Sequence, residues 1–479
     1  MITHTMFKKI LIILLLTSLN LSAQSNVKKL QREITKVIND TFFVHTQIAI
    51  SVYDLKENKQ LYHHNDKLLL YPASNMKLLT TAAALTYLGE DYIFQTSLYH
   101  TGIINSDTLY GDLYVAGGFD PEFSTSDLDS MIQSVKSLGI KYITGNLYAD
   151  IFLKDSLYWG KGWMWDDDPD PTQPRLSSLN INDNSIEIYV EGTNVGSPGK
   201  VILTPETNYV EVVNNSITVS PSEKTDLKIT RDWVNGTNKI IIDGKVRSGV
   251  VTDSSVQKEK LNLINPYFYF LTLLREHLAN QGINVNGENK IAHLPENSVY
   301  LASFNRGIDS VIVHQNKESN NMYAEMLLYA LALNDSGVPA LAKNGIQALK
   351  NLIKLLNLNP GNYYIADGSG VSRYNLLSTE LLSNLLKYMY HSHYYYLYYN
   401  SLPIAGIDGT LKKRMINSSA TGKVRAKTGT LEGVSALSGY VRTRSNSLLT
   451  FSVMIQNYVG KSTVARNYLD RICEILAEY

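Results

Sequence analysis

Three short strings in this sequence contain residue types that can perform nucleophilic chemistry. They are, in chain order, Ser74-Asn-Met-Lys77, Ser319-Asn-Asn321 and Lys427-Thr-Gly. A serine hydroxyl becomes an effective nucleophile when a neighbouring base takes its proton, and a lysine amine can be that base where no histidine is offered. The second serine, the amide and the second lysine are groups that could move protons and hold a substrate. Together the strings predict acyl transfer to a serine.

The surroundings of Ser74 distinguish it from other serines with the same spacing. Ser-x-x-Lys also occurs at Ser25, Ser197 and Ser255, which lie beside a leader-like segment, in a turn pattern and in a polar segment. Ser74 instead precedes an apolar, alanine-rich segment, and serine is a favoured N-cap residue. We predict that Ser74 is the N-cap of a helix. Because residues three apart share one helix face, Lys77 is expected to reach its hydroxyl.

Lys-Thr-Gly occurs once in the sequence and is followed by two strand patterns. Residues 434–441 and 448–455 predict an antiparallel hairpin next to the motif. A small residue such as Gly429 on a strand edge lets a substrate backbone approach closely. The groups available there for a carboxylate are one cation and two hydroxyls, those of Lys427, Thr428 and Thr430.

Composition excludes several classes of partner. The 479 residues include 44 Lys and Arg and 44 Asp and Glu, so the formal net charge is zero and gives no electrostatic support for a nucleic-acid partner. The ten histidines and the single cysteine, Cys473, form no zinc-binding pattern. We therefore expect no metal and no cofactor. Since one cysteine cannot form an internal disulfide, Cys473 is expected to be a buried core residue.

The first 23 residues have the pattern of a signal peptide. Lys8 and Lys9 precede a short apolar run, and Leu-Ser-Ala23 supplies the small residues of a cleavage site. We predict cleavage after Ala23 and an exported protein, either periplasmic or secreted. The apolar run is shorter than a comfortable transmembrane helix, so no stable membrane span is expected, with an uncleaved anchor as the alternative.

Beyond the leader, the sequence pattern changes twice. A helix, a β-hairpin and the helix of Ser74 come first, followed by short strand patterns, among them residues 108–115 and 142–149, until a helix begins at Pro266. Helices then return, and strands with a closing helix end the chain. We interpret the β-rich stretch as an insertion of one or two subdomains within an α/β (α+β) domain. The predicted parts are a signal peptide (1–23), the first part of the main domain (24–93), the inserted domains (94–299) and the second part (300–479).

Eight ordered segments resemble those of class C low-molecular-mass penicillin-binding proteins, the DacB-like D-alanyl-D-alanine carboxypeptidases and endopeptidases. The resemblance covers essentially the whole mature chain and implies a transpeptidase/β-lactamase-like domain, in which helices flank an antiparallel sheet and inserted domains follow the nucleophile helix. The segments are Pro-Ala-Ser74-Asn-Met-Lys77, Gly111-Asp-Leu-Tyr-Val, Gly145-Asn-Leu-Tyr-Ala-Asp150, Gly162-Trp-Met-Trp-Asp-Asp167, Ser319-Asn-Asn-Met-Tyr-Ala-Glu, Asp367-Gly-Ser-Gly-Val-Ser-Arg373, Leu402-Pro-Ile-Ala-Gly-Ile-Asp-Gly-Thr410 and Lys423-Val-Arg-Ala-Lys427-Thr-Gly-Thr430.

The resemblance implies a role for each residue of the three strings. Ser74 attacks the carbonyl between two terminal D-alanines of a peptidoglycan stem peptide, and Lys77 takes its proton. Partial burial and the nearby Lys427 cation are expected to lower the pKa of the Lys77 amine. Ser319 passes a proton to the leaving amine, and Asn321 holds Lys77 and the substrate amide. β-Lactams are expected to acylate the same serine.

The resemblance also implies where the substrate's oxygen atoms lie. Backbone N–H groups of Ser74 and Thr430 form the oxyanion hole, in which each donor is typically worth a few kcal/mol. The terminal carboxylate is bound by Lys427, Thr428 and Thr430.

Two further residues match positions that recognise meso-diaminopimelate in the family. Asp167 would pair with the side-chain ammonium and Arg373 with the side-chain carboxylate of that residue. The alternative for Asp167 is an ordinary acidic surface loop, because it lies in the run Asp-Asp-Asp-Pro-Asp.

Two other functions stay open at this point. A β-lactamase shares the nucleophile, but it would need a fast deacylation device and has no use for the long insertion. A non-catalytic wall-binding or β-lactam-sensing protein could keep the fold without turnover, but all three strings are intact. The expected activity is therefore a serine-type D-Ala-D-Ala carboxypeptidase, endopeptidase or both.

Overall fold

A computed structural model describes residues 26–249 and 256–479, so the predicted signal peptide, residues 1–23, lies outside the described residues. The helices are α1 (26–38), α2 (Met76–Leu88), α3 (Thr125–Ser137), α4 (Pro266–Asn280), α5 (Ile308–Glu318), α6 (Asn321–Ser336), α7 (Ala342–Leu355), α8 (Thr379–His391), α9 (Tyr395–Ser401) and α10 (Ser462–Glu478). Among the described helices, none is both long enough and apolar enough to cross a bilayer.

The strands fall into one catalytic sheet and several smaller sheets. They are β1 (Gln47–Asp54), β2 (Lys59–His64), β3 (Ile93–His100), β4 (Ile103–Asn105), β5 (Thr108–Tyr110), β6 (Leu113–Ala116), β7 (Tyr142–Ile143), β8 (Leu147–Asp150), β9 (Ser185–Glu191), β10 (Lys200–Thr204), β11 (Glu211–Val219), β12 (Lys228–Arg231), β13 (Lys239–Arg247), β14 (Val256–Asn262), β15 (Asn284–Val285), β16 (Asn289–Ile291), β17 (Val299–Gly307), β18 (Val424–Leu431), β19 (Val434–Arg442) and β20 (Leu448–Gln456).

The catalytic sheet joins the two ends of the chain. Its strand order is β18-β19-β20-β1-β2, and all its neighbours pair antiparallel. Successive side chains of a strand point to opposite faces. On β20, Phe451 and Val453 accordingly pack with α1 and α10, whereas Met454 packs with α2, α6 and α8. Helices therefore cover both faces of the sheet, and β18 is left as one edge strand.

The inserted region contains its own core. Its sheets have the orders β16-β8-β6-β3-β17, β15-β7-β5-β4, β10-β9-β14 and β11-β13-β12. Side chains of α3 and α4 fill the space between these sheets, where Phe123 and Phe270 stack. Strand β17 pairs antiparallel with β3, with Gly307 opposite Ile93 and Val299 opposite His100. The chain therefore enters and leaves this region through neighbouring strands. We place the end of the region at Gly307, and its division into domains stays a prediction.

The predicted fold class is confirmed, with corrections inside the insertion. The expected strands 108–115 and 142–149 are each divided into two short strands, and α3 has no counterpart in the sequence prediction. Both breaks lie at glycines that touch neighbouring backbone. A Cβ atom on Gly111 would overlap the carbonyl of Thr101, and one on Gly145 would overlap the carbonyl of Gly111. This close approach of backbones interrupts each strand at its glycine, although the sequence pattern predicts that the strand continues.

Candidate active site

Ser74 lies in a tight turn directly before α2. The turn is the 3-10 helix Ala73–Asn75, and the N-cap of α2 is Asn75, so the prediction that Ser74 is the N-cap was wrong. Ala73 has a positive φ of 46°, so the chain turns at the residue before Ser74. The helix α2 then begins at Met76, one residue later than the prediction requires. Asn75 Nδ2 donates to the carbonyl of Lys427 at 3.1 Å, which fixes the turn against β18. The nucleophile is therefore held between a helix and the edge of the sheet.

Lys77 is fully buried and has three partners. Its Nζ atom lies 3.0 Å from Ser74 Oγ, 2.6 Å from Asn321 Oδ1 and 2.7 Å from the carbonyl oxygen of Ser369. A neutral amine has two hydrogens and one lone pair. Amide and carbonyl oxygens accept hydrogens and cannot donate them. When both hydrogens go to Asn321 and Ser369, the lone pair points at the hydroxyl of Ser74, as a general base requires.

The protonation state of Lys77 follows from its surroundings. Burial lowers the pKa of Lys77 to about 7, and the charges of Asp367 and Glu325 oppose this shift. The sequence prediction named burial and the Lys427 cation as causes. For Lys77 burial is the cause of the lowered pKa, whereas for Lys427 burial, followed by repulsion from Lys77, lowers the pKa well below its usual range. A substantial fraction of Lys77 is thus neutral near pH 7 and available as a base.

A second serine–lysine pair lies across the cleft from the first. Lys427 Nζ on β18 donates to Ser319 Oγ at 2.7 Å and to the carbonyl of Thr428 at 3.0 Å. Ser319 is the link between α5 and α6 and has a left-handed backbone, with φ 61°. This sharp reversal presents its hydroxyl while α6 begins at Asn321. The two motifs are therefore joined by a direct hydrogen bond, although they are 108 residues apart in sequence.

A cavity of about 440 Å³ opens beside these groups. Asn321 Nδ2 donates to the carbonyl of Thr172 at 2.5 Å across its wall, and Thr428 Oγ1 donates to Thr410 Oγ1 at 2.9 Å. Gly429 lies against the nucleophile turn, because a Cβ atom there would be 2.8 Å from the carbonyl of Pro72. The lining residues are Ser74, Thr172, Gln173, Glu318, Ser319, Asn321, Gly370, Val371, Thr410, Arg414, Thr428, Thr430, Leu431 and Arg466.

The loop that presents the Ser369 carbonyl is organised by two buried acids. Asp367 accepts hydrogen bonds from the indole of Trp163, the side-chain amide of Asn375 and the N–H groups of Gly370 and Ser372. Glu325 accepts from the N–H groups of Gly368 and Ser369, at 3.1 and 2.8 Å. These bonds place the carbonyl that holds Lys77. Burial, followed by the charge of Asp367, raises the pKa of Glu325 to about 8.

Asp167 and Arg373 are absent from the lining of the cavity, although Thr172 and Val371, on the same two loops, belong to it. Asp167 ends the 3-10 helix Trp165–Asp167, and its carboxylate accepts from the N–H of Met164 at 3.0 Å. Burial raises the pKa of Asp167, and the charge of Arg373 opposes this. Arg373 donates to the carbonyl of Glu432 at 3.1 Å. The two side chains thus interact electrostatically, and their role in recognising a substrate stays a prediction.

Four residues of the site were given no role by the sequence prediction. Glu325 and Asp367 lie in segments that carry the resemblance, whereas Thr172 and Arg466 do not. Glu325 could have been found, because it lies four residues after Asn321, where a buried helix brings it to the same face. Its neighbours Met322–Ala332 are otherwise apolar or aromatic, so a carboxylate there is unusual. Within the described ranges, three or more His, Cys, Asp or Glu side chains nowhere form a group that could hold a metal ion.

Comparison with known proteins agrees with this geometry. A D-alanyl-D-alanine carboxypeptidase from Actinomadura sp. is 29% identical over 470 residues, which are 95% of this chain and 86% of that protein. The D-alanyl-D-alanine carboxypeptidase DacB of Haemophilus influenzae is 26% identical over 417 residues, which are 86% of each protein. The crystal structure of penicillin binding protein 4 (dacB) from Haemophilus influenzae has the same fold, with a TM-score of 0.80, 24% identity, and coverage of 93% of this chain and 99% of that chain.

The family match covers nearly the whole described chain. Residues 30–479 match the family described as D-Ala-D-Ala carboxypeptidase 3 (S13). The predicted resemblance and the predicted enzyme class, a serine-type D-Ala-D-Ala carboxypeptidase, are confirmed by this match. The chain belongs to the D-Ala-D-Ala carboxypeptidase 3 (S13) family.

Proposed function

We propose that this protein hydrolyses the bond between two D-amino acids in peptidoglycan stem peptides through an acyl-enzyme at Ser74. The activity is that of a carboxypeptidase on terminal D-Ala-D-Ala, of an endopeptidase on cross-links, or both. The observation that carries the proposal is the position of Lys77. Its amine lies 3.0 Å from Ser74 Oγ, and two fixed oxygens accept its hydrogens.

Acylation begins when Ser74 Oγ attacks the carbonyl carbon and its proton passes to Lys77 Nζ. The tetrahedral oxyanion is stabilised by the N–H groups of Ser74 and Thr430. Because β18 is an edge strand, alternate N–H groups of β18 point away from β19. That of Ala426 donates to the carbonyl of Pro403, and the same alternation turns the N–H of Thr430 towards the cleft. The bond to the leaving nitrogen then breaks, and that nitrogen receives the proton that Lys77 took from Ser74, relayed through the Ser319 hydroxyl, which Lys427 orients at 2.7 Å. Lys77 is thereby neutral again before deacylation.

Deacylation uses the same groups in the opposite sense. Water attacks the ester carbonyl of acylated Ser74 and gives a proton to neutral Lys77. The proton returns to Ser74 Oγ as the ester bond breaks, so the free acid leaves and the enzyme is restored. Asn321 stays bonded to Lys77 and to the Thr172 carbonyl during the cycle, which keeps the amine aimed at one reacting centre.

The substrate groups beyond the scissile bond are assigned to the cavity wall. The hydroxyls of Thr428 and Thr430 receive the terminal carboxylate, while Asp167 and Arg373 receive the ammonium and carboxylate of a diaminopimelate side chain. β-Lactams acylate Ser74 because they present a strained amide and a carboxylate in the same arrangement. These substrates lie outside the cytoplasm, which agrees with an exported, periplasmic or secreted protein.

The first test is the intact mass of the purified protein after incubation with benzylpenicillin, followed by a peptide map. We expect a stable adduct on the peptide that contains Ser74, and no adduct on Ser74→Ala. Release of D-Ala from a stem pentapeptide should then be lost in the same variant. An unmodified wild-type protein that also leaves the drug intact would contradict the proposal. Steady hydrolysis of the drug would instead indicate a β-lactamase.

A further inference from the structure

The cavity beside Ser74 is lined by two guanidinium groups with different surroundings. Arg414 Nη2 lies 2.6 Å from Asp470 Oδ1, and its Nε lies 3.1 Å from the same oxygen, so its charge is compensated. Arg466, on α10, is partly exposed, and its Nη2 lies 3.5 Å from Thr430 Oγ1. Within residues 26–249 and 256–479 it takes part in no ion pair. Arg466 is therefore an uncompensated cation next to the Lys-Thr-Gly-Thr strand.

Lys427 is poorly suited to be the cation that meets an anionic substrate group. Its side chain is completely buried, and its Nζ hydrogens are directed to Ser319 Oγ and to the carbonyl of Thr428. Burial and the neighbouring Lys77 lower the pKa of Lys427 well below its usual range. An arginine, in contrast, stays charged at all working pH values and offers a planar fork that matches a carboxylate.

The carboxylate in the cavity lining also favours binding of an anion at the end near Arg466. Glu318 is the exposed carboxylate of the lining and directly precedes Ser319. The negative charge of Glu318 repels a substrate carboxylate from the end of the cavity near Ser319. The Ser319 hydroxyl is thus left free to pass a proton to the leaving nitrogen. The end of the cavity near Thr430 and Arg466 offers one cation and one hydroxyl side by side.

We propose that Arg466 binds the carboxylate of the leaving D-amino acid, together with the hydroxyls of Thr428 and Thr430. This inference rests on the proposed function and specifies its substrate class, which is peptides whose leaving residue carries a free carboxylate. Such residues are a terminal D-Ala and the D-centre of a cross-linking diamino acid. Lys427 then acts on Ser319, and Arg466 supplies the charge that the family pattern assigns to Lys427.

Two substrates that differ only in this charge test the assignment. They are an acetylated stem tripeptide ending in D-Ala-D-Ala and its C-terminal carboxamide. For Arg466→Gln we expect kcat/KM to fall roughly 10-fold to 100-fold on the free acid, as for loss of a hydrogen bond between charged groups, and to change less than about threefold on the carboxamide. Arg466→Lys should recover part of the activity on the acid.

The matched control is Arg471→Gln on the same helix, because Arg471 is exposed and lies 3.5 Å from Glu474. It should leave both substrates unaffected. Equal losses on acid and carboxamide in Arg466→Gln, or no loss on the acid, would overturn the inference while the proposed function stands. A wild-type protein that cleaves neither substrate and is not acylated by benzylpenicillin would overturn the proposed function and this inference with it.

Discussion

The catalytic groups and the loop of residues 163–176 meet at one cavity but are held by different means. Lys77, Asn321 and Lys427 lie on α2, α6 and β18, whose apolar side chains pack in the cores around the catalytic sheet. The 163–176 loop, which carries Asp167 and Thr172, contains only one short 3-10 helix. The catalytic groups are thus positioned by regular secondary structure, whereas the loop needs side-chain bonds to hold its shape.

These bonds come largely from strands of the inserted region, to which the loop itself belongs. Arg231 of β12 is completely buried, and its Nη2 lies 2.5 Å from Asp168 Oδ1, while Arg175 Nη2 lies 2.6 Å from Asp168 Oδ2. Asn262 of β14 donates to the carbonyls of Asp170 and Gln173, at 3.1 and 2.9 Å. Under the proposed function, the groups on the catalytic sheet and its helices perform the chemistry, and the inserted region fixes the cavity wall formed by the loop.

The largest expected effect comes from removing the base. Lys77→Arg keeps a cation but cannot be deprotonated at working pH. We expect acylation to slow roughly 10²-fold to 10⁴-fold, the usual contribution of a positioned general base, for benzylpenicillin and peptides alike. Stopped-flow acylation and D-Ala release measure this. Lys354→Arg, at an exposed position of α7, is the control. Acylation at the wild-type rate would show that another group is the base.

The second prediction separates the two regions. Arg231→Met leaves Asp168 buried with one partner fewer, and breaking a buried ion pair typically costs about 3–5 kcal/mol of stability. We expect a lower melting temperature and a fall in kcat/KM on stem peptides of roughly 10-fold to 100-fold, because the loop shifts. Acylation by benzylpenicillin, which has no stem peptide, should fall much less than peptide turnover, because the loop reaches the acylating groups through the bond from Asn321 to the Thr172 carbonyl alone among the contacts described above.

Lys228→Met is the matched control for Arg231→Met, because Lys228 lies on the same strand and is exposed. It should change neither melting temperature nor peptide turnover. If Arg231→Met slowed peptides and benzylpenicillin equally, the insertion would be supporting the catalytic groups themselves, and the division between the regions would be wrong.

The third prediction tests the loop's contact with the substrate. Asp167→Asn removes a charge without changing the size of the side chain. We expect kcat/KM to fall about tenfold on a stem peptide with a free side-chain amine, as for loss of a charged hydrogen bond, and to stay unchanged when that amine is acetylated. Asp166→Asn, at the exposed neighbouring position, is the control. An equal loss on both peptides would make Asp167 a structural residue of the loop.

The sequence singled out the groups that meet at the cavity because their signal is local, and their catalytic roles stay a prediction. Ser74 and Lys77 are three residues apart, and the serine and amide of the second motif two apart, so each string can be recognised without knowing the fold. The bonds that hold the loop are not local. Arg231 and Asp168 are separated by 63 residues and Asn262 and Asp170 by 92. Only the packing of β12 and β14 against the loop reveals that this arginine is buried.

The same limit explains the error at Ser74 and the omission of Glu325. Whether a serine caps a helix or lies in the preceding turn depends on the loop that packs on it. Here a Cβ atom on Gly370 would overlap the carbonyl of Ala73, so the loop runs directly over the turn. From the sequence, Glu325 is a single acidic residue in a helix. Its role becomes evident only from its hydrogen bonds with the N–H groups of Gly368 and Ser369, more than 40 residues away.

The smallest expected effect tests how this buried acid tunes the base. Glu325 and Lys77 compete for protons in one pH range, because burial brings their pKa values to about 8 and about 7. The ionised fraction of Glu325 raises the pKa of Lys77, so Glu325→Gln should lower it. Since neutral Lys77 is the active form, the acidic limb of the pH profile of kcat/KM should move to lower pH, by up to about one unit.

Glutamine is the informative replacement, because its Oε1 can still accept from the N–H groups of Gly368 and Ser369. Asp367→Asn is less informative, since Asp367 accepts four hydrogen bonds and an amide NH₂ would face donors. Glu380→Gln on α8, where Glu380 lies 3.9 Å from Lys67, is the control and should leave the limb in place. A limb that stays fixed or moves to higher pH in Glu325→Gln would mean that Glu325 only shapes the loop. A shift to lower pH with an unchanged melting temperature would make the acid a positioning residue that also sets when Lys77 is neutral.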